Sequence, residues 1–137
     1  MKVTVVSNTR WGDKYGMLKL SAGEFASKYR PGQPCMLSVS GDGHPGTGPV
    51  VKPAGSTTDP FLKRPFAPFS VNTDSGEIEI MYAVVGRGTE ILSRQAAGVE
   101  LSISIPHGNV FKLLKDKKTA LIAGGVGLAP MHCLADR

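Results

Sequence analysis

Apolar and polar residues alternate with a period of two along most of the chain up to about residue 105, and this period predicts half-buried antiparallel strands. In residues 17–20, Leu18 and Leu20 share one face, and in 35–40 Cys35, Leu37 and Val39 alternate with Met36, Ser38 and Ser40. The clearest run is 77–84, where Ile78, Ile80, Tyr82 and Val84 oppose Glu77 and Glu79. Leu101, Ile103 and Ile105 repeat the pattern against Glu100, Ser102 and Ser104. Several short strands separated by turn residues predict a mainly β fold, a small antiparallel Greek-key β-barrel.

Two helical signals interrupt the strands. The first opens at Ser21, whose hydroxyl pairs with Glu24 in a capping box, and closes by Tyr29 because Pro31 restricts Arg30. The second opens at Thr89 as N-cap and runs through Ile91, Leu92 and Gln95 to a stop at Gly98. Residues 41–60 are rich in glycine and proline and read as a mobile loop, since their spacing fits no phosphate-binding loop. Residues 119–130 (TALIAGGVGLAP) read as a buried strand entering a glycine turn that opens a helix, the usual start of a nucleotide-binding α/β unit. The pattern therefore predicts a barrel over 1–112, then the first strand and turn of an incomplete α/β domain over 113–137.

Composition is that of a globular chain, 41% hydrophobic and 20% charged over 137 residues, enough for one core and hardly two. The net charge of +5 includes Lys112, Lys115, Lys117 and Lys118 in one stretch. No aromatic residues alternate with those lysines to stack bases, so the stretch reads as a solvated linker and nucleic acid is not an expected partner. Neither a signal peptide nor a long apolar run stands in the sequence, which points to the cytoplasm and no membrane contact. Cys35 and Cys133 show no paired spacing and read as buried thiols, while His44, His107 and His132 are too scattered to argue for a metal.

Three segments carry candidate chemistry: 59–71 (DPFLKRPFAPFSV), 81–89 (MYAVVGRGT) and 124–130 (GGVGLAP). Each has a plainer reading, respectively a proline-punctuated edge strand, a turn that caps a helix, and a close helix-strand packing. The functional reading of 86–89 is that the N–H groups of Gly88 and Thr89, with the Thr89 hydroxyl, meet a pyrophosphate at a helix N-terminus.

Taken in order, Pro31-Gly32-Gln33, the 59–66 run, 82–89, Pro106-His107-Gly108-Asn109 and the final glycines cover nearly the whole chain. This series resembles the ferredoxin reductase-like flavoproteins, and among them the electron-transfer subunits of dihydroorotate dehydrogenase. The resemblance implies an FAD-binding barrel over 1–112 followed by the start of an NAD-binding domain. In such proteins electrons pass between NAD(H), FAD and an iron–sulfur cluster, here in dihydroorotate oxidation and pyrimidine biosynthesis, with a catalytic dehydrogenase subunit as partner.

The resemblance also implies site residues. An arginine-proline-x-serine motif supplies an arginine to the FAD phosphates and a serine near flavin N5. With Arg64-Pro65-Phe66 as the match, Ala67 stands where the serine belongs; with Pro68-Phe69-Ser70, Ser70 is kept and Ala67 stands where the arginine belongs. The approach from Asp59 favours Arg64, with Ser70 as a nearby hydroxyl. Met81, Tyr82 and Ala83 would lie along the flavin, Gly88 and Thr89 would hold the pyrophosphate, and Gly124, Gly125 and Gly127 would begin the dinucleotide site. A 2Fe–2S cluster needs several thiolates that this sequence does not offer. It is expected only in a complete parent, and this chain alone is expected not to oxidise NADH. The competing reading is a cofactor-free barrel acting as a binding or interaction module.

Overall fold

The computed structural model describes residues 1–39, 62–112 and 116–136. The loop expected at 41–60 lies outside the described residues, as does Lys115 of the basic stretch. Strands β1 (Lys2–Trp11) and β2 (Tyr15–Ser21) form a hairpin at the centre of an antiparallel sheet. On one side β2 pairs with β6 (Glu77–Ala83), which pairs with β5 (Ser70–Asn72). On the other side β1 pairs with β7 (Glu100–Ser102). A second pair, β3 (Cys35–Leu37) with β4 (Arg64–Phe66), adjoins β7 through a Leu37–Ile103 bridge and a 2.8 Å bond from Ser38 N–H to the Ser102 carbonyl. The strands thus curve round a common core from β4 to β5. Among the described residues no ladder joins those two ends.

The alternation read from the sequence is the inward face of these curved sheets. Leu18, Leu20, Cys35, Leu37, Val39, Ile78, Ile80, Tyr82, Leu101 and Ile103 are all buried in one cluster. Each such side chain contributes about 1.5–3 kcal/mol by leaving water. On the outer face Lys19 lies 3.2 Å from Glu79 and 3.9 Å from Glu77. Partly exposed ion pairs of this kind give only about 0–1 kcal/mol, so the inward face sets the register.

Helix α1 (Gly23–Lys28) does not use the expected capping box. Ser21 is the last residue of β2, opposite Thr4 and Glu77, and Ala22 takes the N-cap position. Glu24 instead pairs forward with Lys28 at 2.8 Å. Helix α2 (Arg87–Leu92) begins ahead of Thr89, with Gly86 as N-cap, and stops well before Gly98. Gly98, at a φ of 87°, serves a turn whose N–H bonds the Val5 carbonyl. Ile105 is 58% exposed, because the chain leaves the sheet after Ile103 and bonds instead along residues 31–36.

The strand expected before the glycine turn is not formed. Residues 119–124 carry no regular secondary structure and are exposed, with Ile122 at 90%. A parallel strand needs a neighbour to satisfy its backbone, and the antiparallel sheet has none to offer. The turn and helix are present: a 3-10 turn (Gly125–Gly127) leads into α3 (Leu128–Ala135), whose Cys133 joins the core cluster.

Burial pushes the Cys35 thiol up to about 12 and raises the Tyr82 phenol above its ordinary value. Both groups keep their protons longer in the folded protein, so their contribution is complete below the ordinary thiol value of 9.0 and is lost as pH climbs towards about 12. Melting temperatures should therefore hold on the neutral side and fall across that alkaline window. Cys35→Ala, less stable at every pH, should show a shallower fall; an identical slope would refute the assignment.

Candidate cofactor site

Arg64 opens β4, a strand paired only with β3 among the described residues, so Pro65 costs no ladder bond there. Its backbone faces Leu37, while its guanidinium reaches the first turn of α2. A Cβ added to Gly88 would stand 2.8 Å from Arg64 Nε and 3.1 Å from Cζ. The side chain thus lies directly on that glycine, and Arg64 Nη1 donates to the Leu62 carbonyl. Glycine at 88 is explained by this close approach.

The turn before α2 is built by Thr89. Its hydroxyl oxygen accepts the N–H of Val85 at 3.0 Å and of Gly86 at 3.3 Å, and donates to the Gly86 carbonyl at 3.0 Å. Thr89 therefore caps the helix from the third helical position rather than as N-cap, and its hydroxyl is committed to the turn. The first intrahelical bond runs from Glu90 N–H to the Gly86 carbonyl at 2.9 Å, so the N–H groups of Gly88 and Thr89 belong to the first turn. The helix dipole and the guanidinium place positive charge at the same point, an arrangement suited to an anion.

The other end of α2 is held by a residue that sequence reasoning missed. Asn8 donates to the carbonyls of Leu92 at 2.8 Å and Gln95 at 3.0 Å, and accepts the Tyr82 hydroxyl at 2.8 Å. A bulge between Val5 and Ser7 shifts the phase of β1 and turns Asn8 towards the core. A polar side chain in the middle of a strand was the available signal.

The remaining predicted residues divide. Tyr82 is a core side chain, so a flavin contact along 81–83 would involve its backbone, with Met81 and Ala83 on the opposite face. Ser70 donates to Glu79 at 3.0 Å, which occupies its hydroxyl proton. Phe66 packs against the core, and Pro65 faces solvent. Gly124, Gly125 and Gly127 border open space, with Gly125 at a φ of 54°. Their turn lies beside β6 and α3 beside β5. The structure therefore brings Arg64 onto Gly88, with Thr89 beside it in the first turn of α2, and sets the Gly125–Gly127 turn against β6 of the five-stranded sheet. Among the described residues no helix is long and apolar enough to cross a membrane.

No family model matches the chain. A dihydroorotate dehydrogenase B (NAD(+)) electron transfer subunit from Caldanaerobacter subterraneus subsp. tengcongensis is 42% identical over 95 residues, covering 69% of this chain and 36% of that protein. The subunit of the same name from Lysinibacillus sphaericus is 34% identical over 137 residues, covering 98% of this chain and 47% of that protein. The chain thus spans less than half the length of these relatives. Among solved structures, an NADH-dependent reduced ferredoxin-NADP oxidoreductase superposes with a TM-score of 0.75 at 19% identity over 97% of this chain and 42% of its own. Phthalate dioxygenase reductase gives 0.68 at 19% identity over 98% of this chain and 38% of its own. The chain is a homologue of the electron transfer subunits of dihydroorotate dehydrogenase B, built on the ferredoxin reductase-like fold.

Proposed function

We propose that this chain binds FAD, with Arg64 and the first-turn N–H groups of Gly88 and Thr89 on the pyrophosphate. It would be the flavin-binding part of a subunit that passes electrons between NAD(H), FAD and an iron–sulfur acceptor in dihydroorotate oxidation. The observation that carries this reading is the Arg64 guanidinium seated on Gly88, a cradle that any side chain at 88 would fill. The residues fit the group, since two kinds of N–H donor and a helix N-terminus converge there.

Bound flavin supplies hydride acceptance and one-electron release, chemistry that the protein orients and tunes. In this reading Pro65 and Phe66 fix the strand that aims Arg64, and Met81, the Tyr82 backbone and Ala83 run along the flavin. Ala67 offers no hydroxyl, and Ser70 takes part with its hydroxyl already turned to Glu79. Gly124, Gly125 and Gly127 begin the nicotinamide-nucleotide side, in a module that starts near residue 113. The complete protein would add the 2Fe–2S cluster and a catalytic dehydrogenase partner.

Equilibrium dialysis tests the pyrophosphate assignment. FAD should bind at least about tenfold tighter than riboflavin, a difference of about 1.4 kcal/mol; equal affinities would remove the assignment. Thr89→Ala should cost about 1 kcal/mol of stability by releasing the Val85 and Gly86 amides. It should also weaken FAD more than riboflavin, because the turn that aims the amides loses its shape. Equal weakening of both ligands would make Thr89 a structural cap alone.

A further inference from the structure

Helix α3 meets the barrel through one contact of unusual geometry. The His132 ring stacks on Phe69 with centroids 3.9 Å apart and planes 12° from parallel. His132 Nδ1 also lies 3.0 Å from the Phe69 carbonyl oxygen, so that nitrogen carries the hydrogen and donates it. Phe69 is itself fixed from the other side, its N–H bonded to the Glu79 carbonyl at 2.7 Å. Both the ring and the backbone of a single residue, immediately before β5, are therefore engaged by one side chain of α3.

We propose that His132 and Phe69 form a latch that sets where the glycine turn sits against the barrel, with His132 as the positioning residue. The argument is geometric. Gly124, Gly125 and Gly127 have no neighbour within 4 Å of a built Cβ, so side-chain packing at the glycines themselves does not hold the turn. Residues 119–124 lack strand partners and cannot hold it either. The turn touches β6 and is carried by α3, and the apolar side chains Ala129 and Leu134 that help bury α3 resist separation more than they resist sliding. A hydrogen bond and a ring stack have direction, and these two converge on a residue tied to β6. The latch rests on the proposed function only for its purpose, which is to fix the nicotinamide side relative to the flavin side.

Amide hydrogen exchange on the whole chain tests it without any cofactor. His132→Ala should speed exchange in residues 125–136 by roughly tenfold or more while leaving β2 and β6 unchanged, as local opening of one unit does. His132→Asn, whose amide N–H reaches about as far as Nδ1, should recover much of the protection. Phe69→Leu, which keeps the carbonyl and removes the stack, should fall between them. In the wild type, imidazole nitrogen shifts should report a hydrogen on Nδ1. Exchange that rises equally in α3, β2 and β6 would make His132 general core support, and unchanged exchange would abolish the latch. If His132→Ala does not fold, Phe69→Leu decides by the same comparison of regions. Failure of FAD to bind the wild type would overturn the functional reading alone, since the exchange result is obtained without it.

Discussion

Gly88→Ala will empty the proposed cofactor site of its guanidinium while leaving the fold nearly untouched. The new methyl would stand 2.8 Å from Arg64 Nε, too close for any real Cβ contact, and the flexible arginine is the partner that must move. The backbone at 88 is not in the left-handed region, and alanine is favoured over glycine inside helices by about 0.5–1 kcal/mol. Stability should therefore hold or rise slightly. FAD affinity should drop by about tenfold to a hundredfold, the scale of a lost charge-assisted hydrogen bond, with riboflavin little changed. Fluorescence titration of both ligands against Gly88→Ala, Arg64→Ala and the double variant checks this. Because the two changes act on one group, the double variant should be no worse than Arg64→Ala alone, and additive losses would separate the two residues.

Gly16→Ala will act in the opposite way, on the fold before the site. Gly16 lies in β2 opposite Tyr82, and an added Cβ would stand 2.5 Å from the ring carbon Cζ, with the hydroxyl also in its path. The ring has nowhere to retreat, since Tyr82 is buried and its hydroxyl is held by Asn8. Overpacking together with the loss of that bond should cost about 3 kcal/mol. For a chain of this length that corresponds to a fall in melting temperature of roughly 10 °C. Tyr82→Phe added to Gly16→Ala should restore only part of the loss, because Cε1 would also lie 2.9 Å from the new methyl. A loss below about 1 kcal/mol would mean that the hairpin opens to admit the methyl at little cost.

The antiparallel strands were legible in the sequence because burial on one face of a strand imposes a period that needs no tertiary knowledge. Ile78, Ile80 and Tyr82 could be assigned inward before any fold was known. Helix starts were harder, since the same polar residue serves several positions. Ser21 was claimed by the ladder, and Thr89 caps its turn from three residues inside the helix. The strand expected before residue 124 failed for a different reason: its hydrophobicity is intrinsic, but strand pairing requires a second chain segment. In the candidate site, Arg64 and Gly88 were each singled out, yet their contact joins a strand to a helix and no spacing rule reports it. The partners of Asn8 and the His132–Phe69 stack were out of reach for the same reason, being products of packing between elements, although a polar residue within a strand marked position 8.

The bulge between Val5 and Ser7 gives the first strand a lever over a site it never touches. Were β1 to run as a regular ladder with Val6 paired in its turn, Asn8 would fall on the outer face with Thr4 and Val6, because one position of slip exchanges the two faces of a strand. The carbonyls of Leu92, the last residue of α2, and of Gln95 in the segment after it would then lose their donor, and Tyr82 its acceptor. The helix would be free to tilt about its remaining attachments, carrying Gly88 away from Arg64 at the opposite end. Under the proposed assignment, affinity for an anion at that end would depend on the phase of residues 5–8, which make no contact with it.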